Sequence, residues 1–172
     1  MSVYKIHVTK DNLMFAAAHF ASFDGDQVEP LHGHNYRVSI TLEGPLDENA
    51  YVFNFVPIKR ILKRLADELD HRMLLPRYSK HVQIEEDFEG GVIVRAAGRW
   101  YRFPLEDVRI LPVTNTTVEP IAHYLCGQLR DELRMRDDAQ HLTAIEIEIE
   151  ETFGQFAIYR ESLSFLDDER SS

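Results

Sequence analysis

The sequence predicts an α+β domain in which two helices lie on one face of an antiparallel sheet and a β-hairpin is inserted at its edge. Extended patterns recur near residues 3–8, 13–19, 35–43 and 145–159, and two further stretches carry apolar stripes at helical spacing. The order is strand, strand, helix, inserted hairpin, helix, strand, strand, with no sequence repeat.

In residues 3–8, Val3, Lys5 and His7 face one way and Tyr4, Ile6 and Val8 the other. After Thr9-Lys10-Asp11-Asn12 an apolar run leads to His19, so the reading is one strand bent or interrupted near residues 10–12. Residues 20–30, with Gly25, three acidic residues and Pro30, read as a loop. In residues 35–43, Tyr36, Val38, Ile40 and Leu42 alternate with Arg37, Ser39 and Thr41 until Gly44-Pro45 ends the strand.

Pro57 opens a helix in which Ile58, Ile61, Leu62, Leu65 and Leu69 form one stripe; it ends at Asp70-His71, before Pro76. Residues 77–112 change character. Gly90-Gly91, Val92-Ile93-Val94, a turn at Ala97-Gly98 and Trp100 to Phe103 predict an inserted hairpin or two short strands. A second helix follows from Val118, Ile121, Ala122, Leu125, Leu129 and Leu133, with Thr116 or Thr117 as N-cap, Glu119 in the first turn and Cys126 inside. Ile145, Ile147 and Ile149 then alternate with Glu146, Glu148 and Glu150, and Phe153-Gly154-Gln155 turns into a last strand. One domain is expected over residues 1–166, with a frayed tail at 167–172.

At 172 residues the chain can bury a substantial core, and 29 acidic against 19 basic residues give a net charge of −10, which offers no general attraction for nucleic acid or an anionic membrane. The single Cys126 excludes an intramolecular disulfide framework. No apolar run approaches the roughly 18 residues of a membrane span, and no signal-peptide layout opens the chain, so a cytoplasmic setting is the expectation.

The chemistry centres on Leu31-His32-Gly33-His34-Asn35-Tyr36. Side chains two apart on a strand share a face, so His32 and His34 can reach one metal, and His19 supplies a third imidazole. Three imidazoles with an open fourth position are the ligand set of a catalytic zinc, although other divalent metals suit them too. An H-x-H pair can also be two polar residues at a strand end. Parity isolates Glu151 as well, because it shares the isoleucine face, where a carboxylate needs a partner unless the strand has already ended. Asp70-His71 can orient an imidazole for proton transfer, or can simply be a histidine at a helix C-terminus.

The stretches Phe15 to His19, Leu31 to Tyr36, Leu69-Asp70-His71, Asn115 to Glu119 and Glu151-Thr152 together resemble the 6-pyruvoyl- and 6-carboxy-tetrahydropterin synthase family over most of the chain outside the insertion. The resemblance implies a T-fold (tunnelling fold) assembled as a trimer or hexamer, a homo-oligomer with active sites at subunit interfaces. It implies Zn2+ held by His19, His32 and His34, a small-molecule pterin anchored by Glu151 with help from Thr117 and Glu119, and Asp70 and His71 as a proton relay. The implied substrate class is 7,8-dihydroneopterin triphosphate, whose phosphates would look to Arg37, Lys59, Arg72 or a neighbouring subunit.

One departure matters most. The family's synthases carry a cysteine base shortly before the histidine pair, whereas this loop reads Asp26-Gln27-Val28-Glu29-Pro30. Glu29 is the natural substitute, as in the subfamily that makes 6-hydroxymethyl-7,8-dihydropterin, a folate precursor. Pyruvoyl or carboxy products are the alternative, and a catalytically silent pterin- or metal-binding T-fold protein is a third reading. Asn54-Phe55 replaces Asp-Phe, and Val118 replaces a frequent serine.

Overall fold

The structure, a computed structural model, describes residues 3–87 and 90–164; the tail expected to fray, 167–172, lies outside the described residues. Its organising element is the 13-residue strand β5 (His32–Gly44). The first edge of β5 pairs antiparallel with both β1 (Tyr4–Val8) and β2 (Met14–His19), so the interrupted strand expected from residues 3–19 is two strands on one partner. The second edge takes β11 (Ala144–Thr152), which turns into β12 (Gln155–Ser162). Beyond β2 come β6 (Arg72–Pro76) and β10 (Val108–Leu111), both added in parallel. The sheet order is therefore β10-β6-β2-β5-β11-β12, with β1 on β5: antiparallel at its centre, mixed at one margin.

The two helices, α1 (Phe55–Asp67) and α2 (Val118–Arg134), share one core with this sheet. Ile58, Leu62 and Leu65 of α1 and Ile121, Leu125 and Leu129 of α2 are buried with Phe15, Tyr36, Val38, Ile40 and Ile147. Each such side chain contributes about 1.5–3 kcal/mol on burial, which is what holds the helices to the sheet. Helix α1 starts two residues before Pro57, because the Asn54 side chain accepts a 2.8 Å bond from the Val56 amide and leaves proline in the first turn, where its missing N–H costs nothing. Asparagine thus does the capping work of an aspartate at that position. Thr117 is the N-cap of α2, and its side chain makes no capping bond.

Three details differ from the sequence reading. The loop after His19 contains a small hairpin, β3 (Ser22–Phe23) with β4 (Gln27–Val28), turned by Asp24 and Gly25 at positive φ of 43° and 88°. The insertion is a separate three-stranded antiparallel sheet, β7 (Gln83–Glu86), β8 (Gly91–Ala96) and β9 (Arg99–Pro104), rather than one hairpin. Finally, β6 and β10 bring the chain back to the main sheet around that insertion. Among the described residues no helix is long and apolar enough to cross a membrane.

A three-histidine cluster and its cavity

Strand parity builds the cluster. Phe15, Ala17 and His19 on β2, and Tyr36 and Val38 with His34 and His32 on β5, lie at alternate positions of antiparallel partners, and His19 stands directly opposite His32. Core and cluster therefore share one face of the sheet. Gly33, between the two β5 histidines, faces the other way; a Cβ there would meet the Ala17 carbonyl oxygen at 2.6 Å, so only glycine allows the strands to approach this closely.

The outer ring nitrogens are already committed. His19 Nδ1 donates to the Thr116 carbonyl at 2.7 Å, and His32 Nδ1 donates to the Pro30 carbonyl at 2.8 Å. These bonds select the tautomers that leave Nε2 bare, the orientation that metal-binding histidines use. The two bare Nε2 atoms lie 3.1 Å apart. Burial lowers the His19 pKa to about 4, against the opposing pull of the Thr116 bond and with further lowering by His32 and His34, so this ring, 1% exposed, is neutral. Two lone pairs facing at that distance call for a cation between them. Two nitrogens of a tetrahedral zinc site, at about 2.0–2.1 Å from the ion, would stand roughly 3.3 Å apart. Ligand atoms of His19, His32 and His34 all lie within 4.8 Å of one another, so the donors suit such an ion in number and type, and the His19–His32 pair stands near the spacing it needs.

Carboxylates flank the cluster on two sides. Glu151, at the bulge where β11 leaves register with β12, turns Oε1 to 3.6 Å from His34 Nε2 and 3.8 Å from His19 Nε2. Tyr36 donates to the same oxygen at 3.4 Å, and burial, reinforced by Glu151, pushes the phenol's ionisation far above neutrality, so it stays a donor. Glu29 approaches from the other side, with Oε2 3.2 Å from His32 Nε2. Of the four carboxylates singled out in the sequence, Glu29 and Glu151 thus reach the cluster.

Asp70 and His71 are held on the next strand edge. Asp70 Oδ1 accepts from the Ala16 amide at 2.7 Å and Oδ2 meets His71 Nδ1 at 2.9 Å. Burial alone would raise the Asp70 carboxyl, but the Ala16 amide and the His71 ring outweigh it and hold it below the usual carboxylate range. His71 itself adopts φ 55°, locked by its amide's 2.7 Å bond to the Ala16 carbonyl. His34, Glu151, His71, Arg37 and Arg72 line one cavity of about 1000 Å³. Thr117, Glu119 and Lys59 do not line it, and neither do Glu29, Asp70, His19 and His32, so the cavity meets the cluster only at His34 and Glu151. Cys126 is buried in α2, where burial and then Glu161 push its thiol up to about 12, so it offers no thiolate.

Two contributors were not singled out for the site in the sequence: Asn115, read only as part of the Asn115 to Glu119 stretch, and Thr116, read as a candidate N-cap. Asn115 accepts from the amides of Ser22 (3.1 Å) and Thr116 (3.0 Å) and donates to the Ser22 carbonyl at 2.8 Å. Thr116, fully buried, donates to the Phe20 carbonyl at 3.0 Å while its own carbonyl fixes His19. Their only sequence signal is a polar run before a helix, which reads as capping.

A model of the 6-pyruvoyl tetrahydropterin synthase family matches residues 7–162. A protein of Methanocaldococcus jannaschii, provisionally named a 6-carboxy-5,6,7,8-tetrahydropterin synthase, is 34% identical over 152 residues, 88% of this chain and 91% of that one. The dihydroneopterin monophosphate aldolase of Pyrococcus furiosus is 35% identical over 60 residues, 35% of this chain and 50% of its own. Among solved structures, the 6-pyruvoyltetrahydropterin synthase of Plasmodium vivax, in a variant that replaces a glutamate termed a catalytic residue with alanine, superposes with a TM-score of 0.87. It is 28% identical, and the superposition covers 95% of this chain and 100% of that one. The curled sheet with two helices is the T-fold of these synthases.

Proposed function

Because the chain belongs to the 6-pyruvoyl tetrahydropterin synthase family and is a lyase-type enzyme of that family, we propose that it cleaves the side chain of 7,8-dihydroneopterin triphosphate to 6-hydroxymethyl-7,8-dihydropterin, with Glu29 as base. The observation that carries this reading is the Glu29 carboxylate 3.2 Å from His32 Nε2, at the edge of the three-histidine cluster, in a chain whose single cysteine is buried elsewhere. A glutamate in a catalytic position of the Plasmodium vivax relative and the aldolase name of the Pyrococcus furiosus relative support it.

His19, His32 and His34 would hold zinc, which when bound supplies Lewis acidity that eases deprotonation of the substrate's side-chain hydroxyls. Glu29 takes the proton from the hydroxyl on the second side-chain carbon. The bond between the first and second carbons breaks, a carbonyl forms on the departing fragment, and the electron pair passes to the first carbon and the conjugated ring. Protonation of the first carbon completes the product, and His71, which lines the cavity and meets Asp70 at 2.9 Å, would supply that proton. Glu151, turned inward and hydrogen-bonded by Tyr36, is the acceptor for the pterin's N–H groups. Arg37 and Arg72 are the cations in the cavity lining that suit the phosphates. Thr117 and Glu119, off their own chain's cavity, would reach the pterin of a neighbouring subunit in a homo-oligomer.

The extent of the Methanocaldococcus jannaschii match favours a second reading, formation of a carboxy product. Incubating the zinc-loaded protein with 7,8-dihydroneopterin triphosphate and weighing the pterin product separates the two. The hydroxymethyl product is expected; a carboxy or pyruvoyl product would replace the first reading with the second.

A further inference from the structure

The inserted sheet has one apolar face to bury. Val92, Val94 and Ala96 of β8 share it with Tyr101 and Phe103 of β9 and Ile84 of β7, since Val94 pairs with both Tyr101 and Ile84 in the ladder. Met73 and Leu75 of β6 cover part of that face. Phe20, fully buried, joins the same cluster beside Val82, and Val28 packs at its margin with Ala18, Val108 and Ile110.

Phe20 and Val28 are the feet of the β3–β4 hairpin. Phe20 follows His19 directly, and its ring lies 5.0 Å from that of Tyr101, which stacks in turn on Phe103 at 6.1 Å. Val28 immediately precedes Glu29. The strands of this hairpin are two residues each, too short to hold a fixed position by their own ladder. Asn115 pins Ser22, at the Phe20 end. At the Glu29 end, the bond from the Glu29 amide to the Ala21 carbonyl, 2.8 Å, ties the base to the hairpin itself and so passes on whatever position the hairpin has.

We propose that the inserted sheet is the positioning element for Glu29, seating the hairpin through Phe20 and Val28 and so fixing where the carboxylate stands against His32. The proposal rests on the reading of Glu29 as base. Tyr101 and Val28 are then positioning residues, and the insertion belongs to the catalytic apparatus although none of its strands carries a metal ligand. A displacement of about 1 Å at a proton-accepting group is enough to cost on the order of 100-fold in rate, so a soft support would be felt in turnover.

The test compares Tyr101→Ala, Tyr101→Phe and Val28→Ala in the full-length, zinc-loaded protein. In Tyr101→Ala the amides of residues 21–29 should exchange with deuterium about tenfold faster or more, while those of β5 are unchanged and zinc content stays at the parent level. Turnover should fall about tenfold with little change in KM, and Tyr101→Phe, which keeps the ring, should restore both. Should Tyr101→Ala fail to fold, Val28→Ala thins the packing of the hairpin on the same apolar cluster from the other side and is expected to give the same exchange pattern. Parent-like exchange over residues 21–29 in a folded variant overturns the proposal, whatever happens to turnover. Failure of the base reading has a different signature: Glu29→Gln would turn over at the parent rate while the exchange result stood.

Discussion

The three-histidine cluster and the proposed base meet at one point but are built differently. His32 and His34 stand at one end of a 13-residue strand, where it is registered against the strand that carries His19; the same strand is paired on both edges from Arg37 onward. Glu29 follows a hairpin of two-residue strands and is held to the molecule through its neighbours. Coordination needs donors fixed to within a few tenths of an ångström, which the register of two paired strands provides. A base needs to approach and withdraw a proton, and sits on a smaller element that a second sheet supports.

That contrast can be broken most sharply at the strand. His32→Ala should abolish stoichiometric zinc binding and remove turnover by three orders of magnitude or more, since the remaining imidazoles cannot close the site; metal analysis after dialysis and a single-turnover assay check it. Next comes the hairpin. Glu29→Gln should retain a full zinc complement yet lower kcat about 100- to 10,000-fold, the range of a lost general base. Loss of zinc in that variant would show that base and metal are not separately supported. Tyr36→Phe lies between the two regions. It removes the bond to Glu151, worth about 1 kcal/mol, so pterin affinity measured by calorimetry should fall several-fold with zinc affinity nearly unchanged.

The smallest effect belongs to the far end of β5. The Glu43 carboxyl is held below its ordinary value by Arg160 and then by Lys5, at 3.0 and 2.7 Å. A depressed carboxylate contributes stability above its unfolded pKa, near 4.5, and loses it as pH falls through the lower folded value. Glu43→Gln should therefore melt a few degrees lower at pH 7, with the gap to the parent closing as melts are taken down toward pH 3. A gap independent of pH would mean that packing, not charge, is lost.

What could be read from the sequence follows this same division. Alternation exposed β5, β11 and the face shared by His32, His34 and Glu151, because one face of those strands is apolar and the other polar. Strand β6 gave no such signal: Leu74 packs toward the helices while Met73 and Leu75 pack toward the insertion, so Met73-Leu74-Leu75 is apolar throughout. Strand β7, Gln83–Glu86, is short and mostly polar, and its pairing with β8 is a tertiary fact. Glu29 was legible only because a cysteine was missing from its neighbourhood. Asn115 and Thr116 act through bonds to residues more than 90 positions away, a relation that no local pattern encodes.

The shared face of β5 has a consequence for how the cell could tell a sound molecule from a faulty one. A slip of one residue in its pairing would swing His32 and His34 away from His19 and, in the same movement, turn Tyr36, Val38, Ile40 and Leu42 out of the core. A misaligned chain could not hide: it would be greasy as well as metal-free, and chaperones and proteases that recognise exposed apolar surface would remove it without ever inspecting the active site. Correct alignment of the three imidazoles is in this sense certified by solubility.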